Sequence, residues 1–409
     1  MRVRVLTGET SPDERDEVFG ALSAGEVDVV LTTPEFLEIH ARRLSAGEVG
    51  FVVIDEAHHA GTGERDAYAG LPEALRRLGS PTVCAVTATA STPVATRVCQ
   101  LFGIRHDAVV VDQSVRANLE LEDHRELRDR EAALVSVVAA GEKTIIYVNS
   151  REQSVSLARM LRHALPDLAP RVAFYNAGLT RPDRTRVEEA FRSGALSCIV
   201  STSAFGEGVN LPDIRNVVLY HLPMGSAEFN QMSGRAGRDG GRARIWLMYG
   251  SRDARINERI LSSSAPSRED LVTLYRTLTR MARQCLSKGS PEACEVDGSF
   301  ALNNADIAQS ALEVDPCSRL DERSVSCGVS IFRELGLLTT RGYGSSRHIQ
   351  MSPSPERVDL ESSIRYLEGQ RARDDFSEFA AWALSSRPQE ILCRINRPIT
   401  PSFGDVVDR

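Results

Sequence analysis

Short β-branched runs recur along this chain with helical stretches between them, and that alternation limits the folds open to it. VDVVLTT (27–33), FVVID (51–55) and TVCAVTATA (82–90) are strand-like, bounded by Gly, Pro or charged residues. ERDEVFGALSAG (14–25) and AYAGLPEALRRLG (67–79) carry helix patterns between them. Strands that alternate with helices build a parallel sheet covered on both faces. A second series follows: TIIYVN (144–149), VAFYNA (172–177), SCIVST (197–202), NVVLYH (216–221) and RIWLMYG (244–250), with helices such as REQSVSLARMLRHAL (151–165) and DRTRVEEAFRSG (183–194) between. The predicted fold class is α/β, with two parallel-sheet lobes over residues 1–110 and 111–254. Sheets of this kind bind ligands at the carboxyl ends of their strands.

After residue 255 the pattern turns helical. A linker over 255–300 contains the amphipathic run SREDLVTLYRTLTRMARQCL (267–286). Residues 301–352 read as helix (304–314), helix (320–338) and a Gly/Ser/Arg hairpin (339–351), the pattern of a winged helix. Residues 353–409 form an expected helical tail. Its closing RINRPITPSF has no chemical role that the sequence reveals.

Composition narrows the class. Hydrophobic content of 42% and charged content of 26% are ordinary for a globular protein. No window approaches a membrane span and no basic-then-apolar leader opens the chain, so a cytoplasmic protein with no membrane partner is expected. The net charge of -7 argues against a wholly basic surface but leaves room for a local nucleic-acid groove. Eight cysteines occur, none in a CxxC pair, and reduced thiols are expected. Of 49 lysines and arginines only Lys143 and Lys288 are lysines, leaving 47 arginines. With abundant alanine, this suggests a GC-rich bacterial genome.

The chemistry concentrates in a few segments. FVVIDEAHHAGTG (51–63) runs an apolar strand straight into Asp55 and Glu56. One carboxylate at a strand end can hold magnesium and the other can polarise an attacking water. The plainer reading is an acidic helix start favoured by the helix dipole. TATAS (87–91) ends the next strand, where small hydroxyl residues can couple a hydrolysis site to motion or simply cap a turn. In STSAFGEGVNLPD (201–213) the glycines allow close backbone approach to a ligand. QMSGRAGRDG (231–240) sets Arg235 and Arg238 three apart, on one face if the segment is helical. Two fixed guanidiniums suit a phosphoryl group.

In order and approximate spacing, DEAH, TAT, YVNSRE (147–152), FYNAGLT (174–180), STSAFGEGVNLPD and QMSGRAGRDG resemble the motifs of superfamily 2 helicases, most closely the RecQ branch. The likeness covers roughly residues 3–250. TTPE (32–35) resembles that family's DNA-contacting segment, and VDQSVRANL (111–119) its bridge into the second lobe. The resemblance implies two RecA-like lobes, ATP and Mg2+ as cofactors, and movement 3′-to-5′ along DNA, in recombination or repair. Asp55 would ligate magnesium, Glu56 would act as general base, and His58 would complete the nucleotide-binding turn. Gln231, Arg235 and Arg238 would face the γ-phosphate, with Arg238 the favoured arginine finger. Thr202, Gly206, Gly208 and Asn210 would link nucleotide to DNA. Thr33, Pro34, Asn149, Ser150, Arg151 and Thr180 would lie along a single strand. On the winged helix, a recognition helix at 321–335 with Arg323 and Ser324 near its start, and Arg341, Tyr343 and Arg347 on the wing, would grip duplex phosphates.

The family's phosphate cradle, GxxxxGK[ST], needs a lysine that neither Lys143 (AAGEKTI) nor Lys288 (SKGSPEA) supplies. The first lobe is therefore expected to be incomplete, with exposed sheet and helix faces, and a separate fragment or protein is an expected partner. The branch's zinc module is not matched by Cys285, Cys294, Cys317 and Cys327, and zinc is not expected. The loop after DEAH offers only Tyr68 as an aromatic. Two functions compete: a RecQ-like ATP-dependent DNA helicase, and an ATPase-inactive remnant that binds DNA as an accessory. RNA remodelling is a third, disfavoured by the RecQ-like motifs.

Overall fold

A computed structural model of the chain describes residues 1–62, 66–205, 211–288, 299–301, 303–342, 348–352 and 358–407. The chain separates into two compact units, Met1–Ala117 with Cys393–Arg409, and Asn118–Leu392. The expected lobe boundary at 110 thus falls at 117, and the expected tail divides, its last residues returning to the first unit.

The first unit holds β1 (Val3–Leu6), β2 (Val29–Thr32), β3 (Phe51–Ile54), β4 (Thr82–Ala85) and β5 (Val110–Asp112). β1 pairs with β2 and β3 with β4, both parallel. Helices Pro12–Ser23, Pro34–Leu44, Leu71–Arg77 and Thr92–Phe102 bury Phe19, Phe36, Ala74 and Val98 in a common core with Leu6 and Ile54. That core lies on one side of the strands. Alternate residues point away from it: Val5, its register partner Leu31, and Phe51, Val53 and Val86 are all exposed, Phe51 and Val53 by 58% each. Parallel strands are normally covered on both faces, so this apolar face is the unit's most unusual feature.

The second unit is built on a six-stranded parallel sheet. Its strands are β6 (Leu119–Asp123), β7 (Thr144–Tyr147), β8 (Val172–Tyr175), β9 (Cys198–Ser201), β10 (Asn216–Leu219) and β11 (Ala243–Leu247), in the order β6-β11-β10-β7-β9-β8. Every residue of β7, β9 and β10 is buried. Leu134 and Val138 of helix Arg130–Ala139, with Leu157 and Leu161 of helix Arg151–Ala164, pack on Ile146, Val200 and Val218. Beyond the sheet, helices Arg268–Lys288, Asn304–Val314 and Glu322–Glu334 enclose a core with a small antiparallel sheet of β12 (Phe300–Ala301), β13 (Leu338–Arg341) and β14 (His348–Met351), in the order β12-β14-β13. Helix Ile364–Ser385 then sets Phe379 and Trp382 edge-on to Phe229, at 5.8 and 5.6 Å.

The chain finally returns to the first unit, where β15 (Asp405–Val407) pairs in parallel with β5. Among the described residues no helix is long and apolar enough to cross a membrane. Cys84, Cys99, Cys198, Cys317, Cys327 and Cys393 are in no disulfide, whereas Cys285 is disulfide-bonded, a departure from the expected reduced thiols.

Candidate nucleotide and nucleic-acid sites

In the first unit the strand β3 ends at Ile54, and Asp55 and Glu56 follow it into solvent. Glu56 takes left-handed backbone, φ 49°, unusual for a residue with a side chain. The turn is tied down around it. The Glu56 amide donates to Asp55 Oδ1 at 2.9 Å, and the Ala57 amide donates to the Val86 carbonyl at 3.0 Å. His58 Nδ1 lies 3.0 Å from Thr87 Oγ1 and 3.3 Å from Glu56 Oε2. Thr87 Oγ1 also accepts the Thr89 amide at 3.2 Å. DEAH and TATAS are thus one hydrogen-bonded cluster. Two exposed carboxylates at the carboxyl end of a parallel strand are a hard oxygen donor set suited to magnesium. Tyr68 is buried, its hydroxyl donating to the Asp55 carbonyl at 3.4 Å, so that aromatic braces the turn from inside.

The arginine segment belongs to the second unit. Helix Ser226–Ser233 carries Gln231 at its exposed surface and ends before either arginine. The expected helical face for Arg235 and Arg238 is replaced by a turn with Gly237 at φ 53° and Gly240 at φ 81°. A Cβ on Gly237 would lie 2.6 Å from both Asn118 Nδ2 and the Gly241 carbonyl. Asn118 Nδ2 donates to the Gly237 and Gly241 carbonyls, each at 2.8 Å, and so pins the loop. Arg215 binds both Asp239 oxygens, and this pairing holds the Asp239 carboxyl down to about 2. Arg235 is buried beside Tyr147, whose hydroxyl donates to the Phe205 carbonyl at 2.9 Å. Burial pushes the Tyr147 phenol up to about 12, against the pull of Arg235 and Arg238. Arg238 is exposed, its Nε donating to the Gly234 carbonyl at 3.2 Å.

The expected nucleic-acid residues fall mostly on helix starts. Thr33, Ser150 and Thr180 each cap a helix that follows a parallel strand, accepting the amides of Phe36, Gln153 and Asp183. Pro34 is the first residue of its helix. Helix N-termini at that sheet edge present free amides to anions. In the second unit a cleft of ≈ 570 Å³ brings Arg151 and Arg159 together with Phe174, Asn176 and Gly178. Thr202 sits half-buried just after β9.

Asn149 turns inward. Its Nδ2 donates to the Leu222 carbonyl and to Asn257 Oδ1, both at 2.8 Å, and its amide donates to His221 Nδ1 at 3.2 Å. Asp253 lies 4.0 Å from His221 Nε2 and pairs with Arg130 at 2.9 Å. Burial lowers the His221 pKa, the nearby Arg130 charge adds to that, and Asp253 opposes it. Ser324 is likewise buried, exchanging capping bonds with Asp321, while Arg323 and Arg341 are exposed. The expected Gly206, Gly208, Asn210, Tyr343 and Arg347 lie outside the described residues. Among the described residues no group of three or more His, Cys, Asp or Glu could hold a metal ion. Thr87, Asn118 and Tyr147 lie inside the TATAS, VDQSVRANL and YVNSRE segments, but the sequence gives no signal for the individual contact that each makes.

Two family signatures match: DEAD/DEAH box helicase over residues 1–98 and helicase conserved C-terminal domain over residues 129–240. A probable ATP-dependent DNA helicase RecS of Bacillus subtilis is 31% identical over 61% of this chain and 50% of its own length. The human ATP-dependent DNA helicase Q4 is 29% identical over 70% of this chain and 25% of its own. The chain thus spans half or less of these relatives. The DNA-bound crystal structure of the DUF1998 helicase MrfA aligns over 88% of this chain and 48% of that one, at TM-score 0.50 and 18% identity, a likeness of fold.

Proposed function

Since this chain belongs to the RecQ-like branch of the superfamily 2 helicases, we propose that it is the working body of an ATP-dependent DNA helicase whose phosphate cradle comes from a segment outside these 409 residues. The observation that carries this reading is the acidic turn. Asp55 and Glu56 are presented to solvent on a strained, multiply hydrogen-bonded turn, an arrangement that a plain helix start does not need. Asp55 would hold magnesium, and Glu56 would take the proton of the attacking water. Bound Mg-ATP supplies the transferable phosphoryl group and a Lewis acid. Arg238, exposed on its pinned loop, would neutralise charge on the γ-phosphate, with Arg235 and Gln231 beside it. Thr33 and Pro34 on one unit, and Ser150, Arg151 and Thr180 on the other, would grip single-strand phosphates through helix starts and a guanidinium.

The exposed face of β1–β4 is where the missing segment would lie. Its apolar residues supply area for an α/β segment that completes the first lobe. We also read residues 301–352 as a winged helix, with helix Arg268–Lys288 packed against its core. The order strand, helix, helix, strand, strand supports this, and Arg323 and Arg341 are exposed at its surface, where duplex DNA would meet them. Movement 3′-to-5′ along DNA, in recombination or repair, is proposed on the family resemblance alone. The alternative, an ATPase-inactive DNA-binding accessory, is favoured by one observation: these residues contain no glycine-lysine cradle.

ATP hydrolysis with single-stranded DNA separates the two. The 409-residue chain alone should show near-zero turnover. Supplied with a GxGKT-bearing lobe-1 segment, it should hydrolyse ATP, and Glu56→Gln should lower the rate by about 10²–10⁴-fold. Turnover by the chain alone that Glu56→Gln abolishes would overturn the outside cradle. DNA binding without turnover in the completed protein would establish the accessory role.

A further inference from the structure

We infer that residues 396–407 are a strap that positions the coupling segment at 87–91 and, through it, the acidic turn. This rests on the reading of that turn as the hydrolysis centre. The strap is the closing part of the sequence whose role was unread. Pro398 and Pro401 stiffen it in an extended form, which lowers the entropy lost on docking.

The strap meets the first unit along its whole length. The Arg116 amide donates to the Asn396 carbonyl at 2.9 Å. Ile399 forms a parallel bridge with Thr89, and its carbonyl accepts the Ala90 amide at 2.8 Å. The Ser402 amide donates to Thr92 Oγ1 at 3.0 Å. Phe403 stacks on His106 with ring centres 4.1 Å apart. Gly404 adopts φ 104° against Val109, and the pairing of β15 with β5 follows.

From the strap a continuous series of contacts reaches the carboxylate. Ile399 holds Thr89 and Ala90, the Thr89 amide donates to Thr87 Oγ1, Thr87 contacts His58, and His58 contacts Glu56. No described strap residue belongs to the buried core of the first unit. Val406 and Val407 at its end are exposed. An element that grips the site's supports while adding nothing to the core fits a positioning role that docking and release can set. These are positioning residues, not catalytic ones.

The test uses hydrogen exchange and ¹⁵N imidazole spectra of the full chain. Gly404→Val places a side chain against the Val109 carbonyl at positive φ and should release the strap; Phe403→Ala removes the stacked ring. A chain stopping at Ile395 removes the strap outright and decides the matter should a point variant misfold or stay docked. Expected is at least a tenfold rise in exchange at Ala90, a shifted His58 ring signal, and unchanged exchange at Val86, whose amide donates within the sheet to Ile54. Phe403→Tyr should restore the original behaviour. Unchanged Ala90 exchange and an unchanged His58 signal in the shortened chain would overturn the inference. Neither readout requires ATP turnover, so failure of the helicase reading would be seen separately.

Discussion

His58 Nδ1 sits 3.0 Å from the hydroxyl of Thr87, and this contact joins the acidic turn to the end of the neighbouring strand. The same hydroxyl accepts the Thr89 amide. Thr87→Val keeps the shape and removes both bonds. Loss of the hydroxyl should cost about 1–2 kcal/mol, read as a lower urea midpoint for the first unit. In the completed enzyme, DNA-stimulated turnover should fall more than substrate binding does, because the turn loses its support while the carboxylates remain.

Gly237 and Asn118 hold the arginine loop from two sides. Gly237→Ala adds a methyl group where Asn118 Nδ2 and the Gly241 carbonyl already stand 2.6 Å away, at a backbone φ of 53°. Asn118→Ala strips two carbonyls of their donor. Each change should destabilise the second unit by about 2–3 kcal/mol. Combined, they should cost less than the sum, since both loosen one loop. Denaturant unfolding of the single and double variants checks this.

His221 makes the second unit sensitive to mild acid. Burial lowers its folded pKa, and its Nδ1 must stay unprotonated to accept the Asn149 amide. The unfolded chain takes up the proton near pH 6.5, and the folded chain only below that. Stability should therefore be level above pH 7 and fall as pH drops below about 6.5, by at most about 1.4 kcal/mol per pH unit. Unfolding midpoints between pH 5 and 8 should show the slope, and His221→Gln should remove it.

The apolar face of the first unit predicts association. Phe51 and Val53 are each 58% exposed, so Phe51→Ser with Val53→Ser should change folding stability by no more than about 0.5 kcal/mol each. The double variant should remain monomeric at concentrations where the original chain self-associates, as sedimentation would show. It should also lose affinity for the lobe-1 segment that completes the site.

Local patterns carried the sheet of the second unit, and non-local ones hid the rest. Strands β7, β9 and β10 are buried at every position, so TIIY, CIVS and NVVL stand out from any polar surroundings. The edge strand β6 reads LELED, half-exposed and charged, and gave no such contrast. Asp55 and Glu56 were legible because a strand runs straight into them. The turn at Gly237 was not, because GRAG fits a helix until Asn118 and Ile214 claim its backbone. Asn149 shares a surface-like motif with Ser150 and Arg151, yet its side-chain Nδ2 donates to the Leu222 carbonyl and Asn257 Oδ1, far along the chain. The pairing of residues 405–407 with 110–112 joins segments that no sequence window contains together.

That last pairing has a consequence for biosynthesis. The first unit begins the chain and also receives residues 393–407, so in order of translation the second unit is an insertion within it. During synthesis the second unit can complete its sheet while the first still waits for β15. The pairing of β5 with β15 must then close across the whole inserted unit, a slow, high-separation contact. Until residues 393–407 leave the ribosome, the sheet of the second unit can stand complete while the coupling segment of the first is still unstrapped.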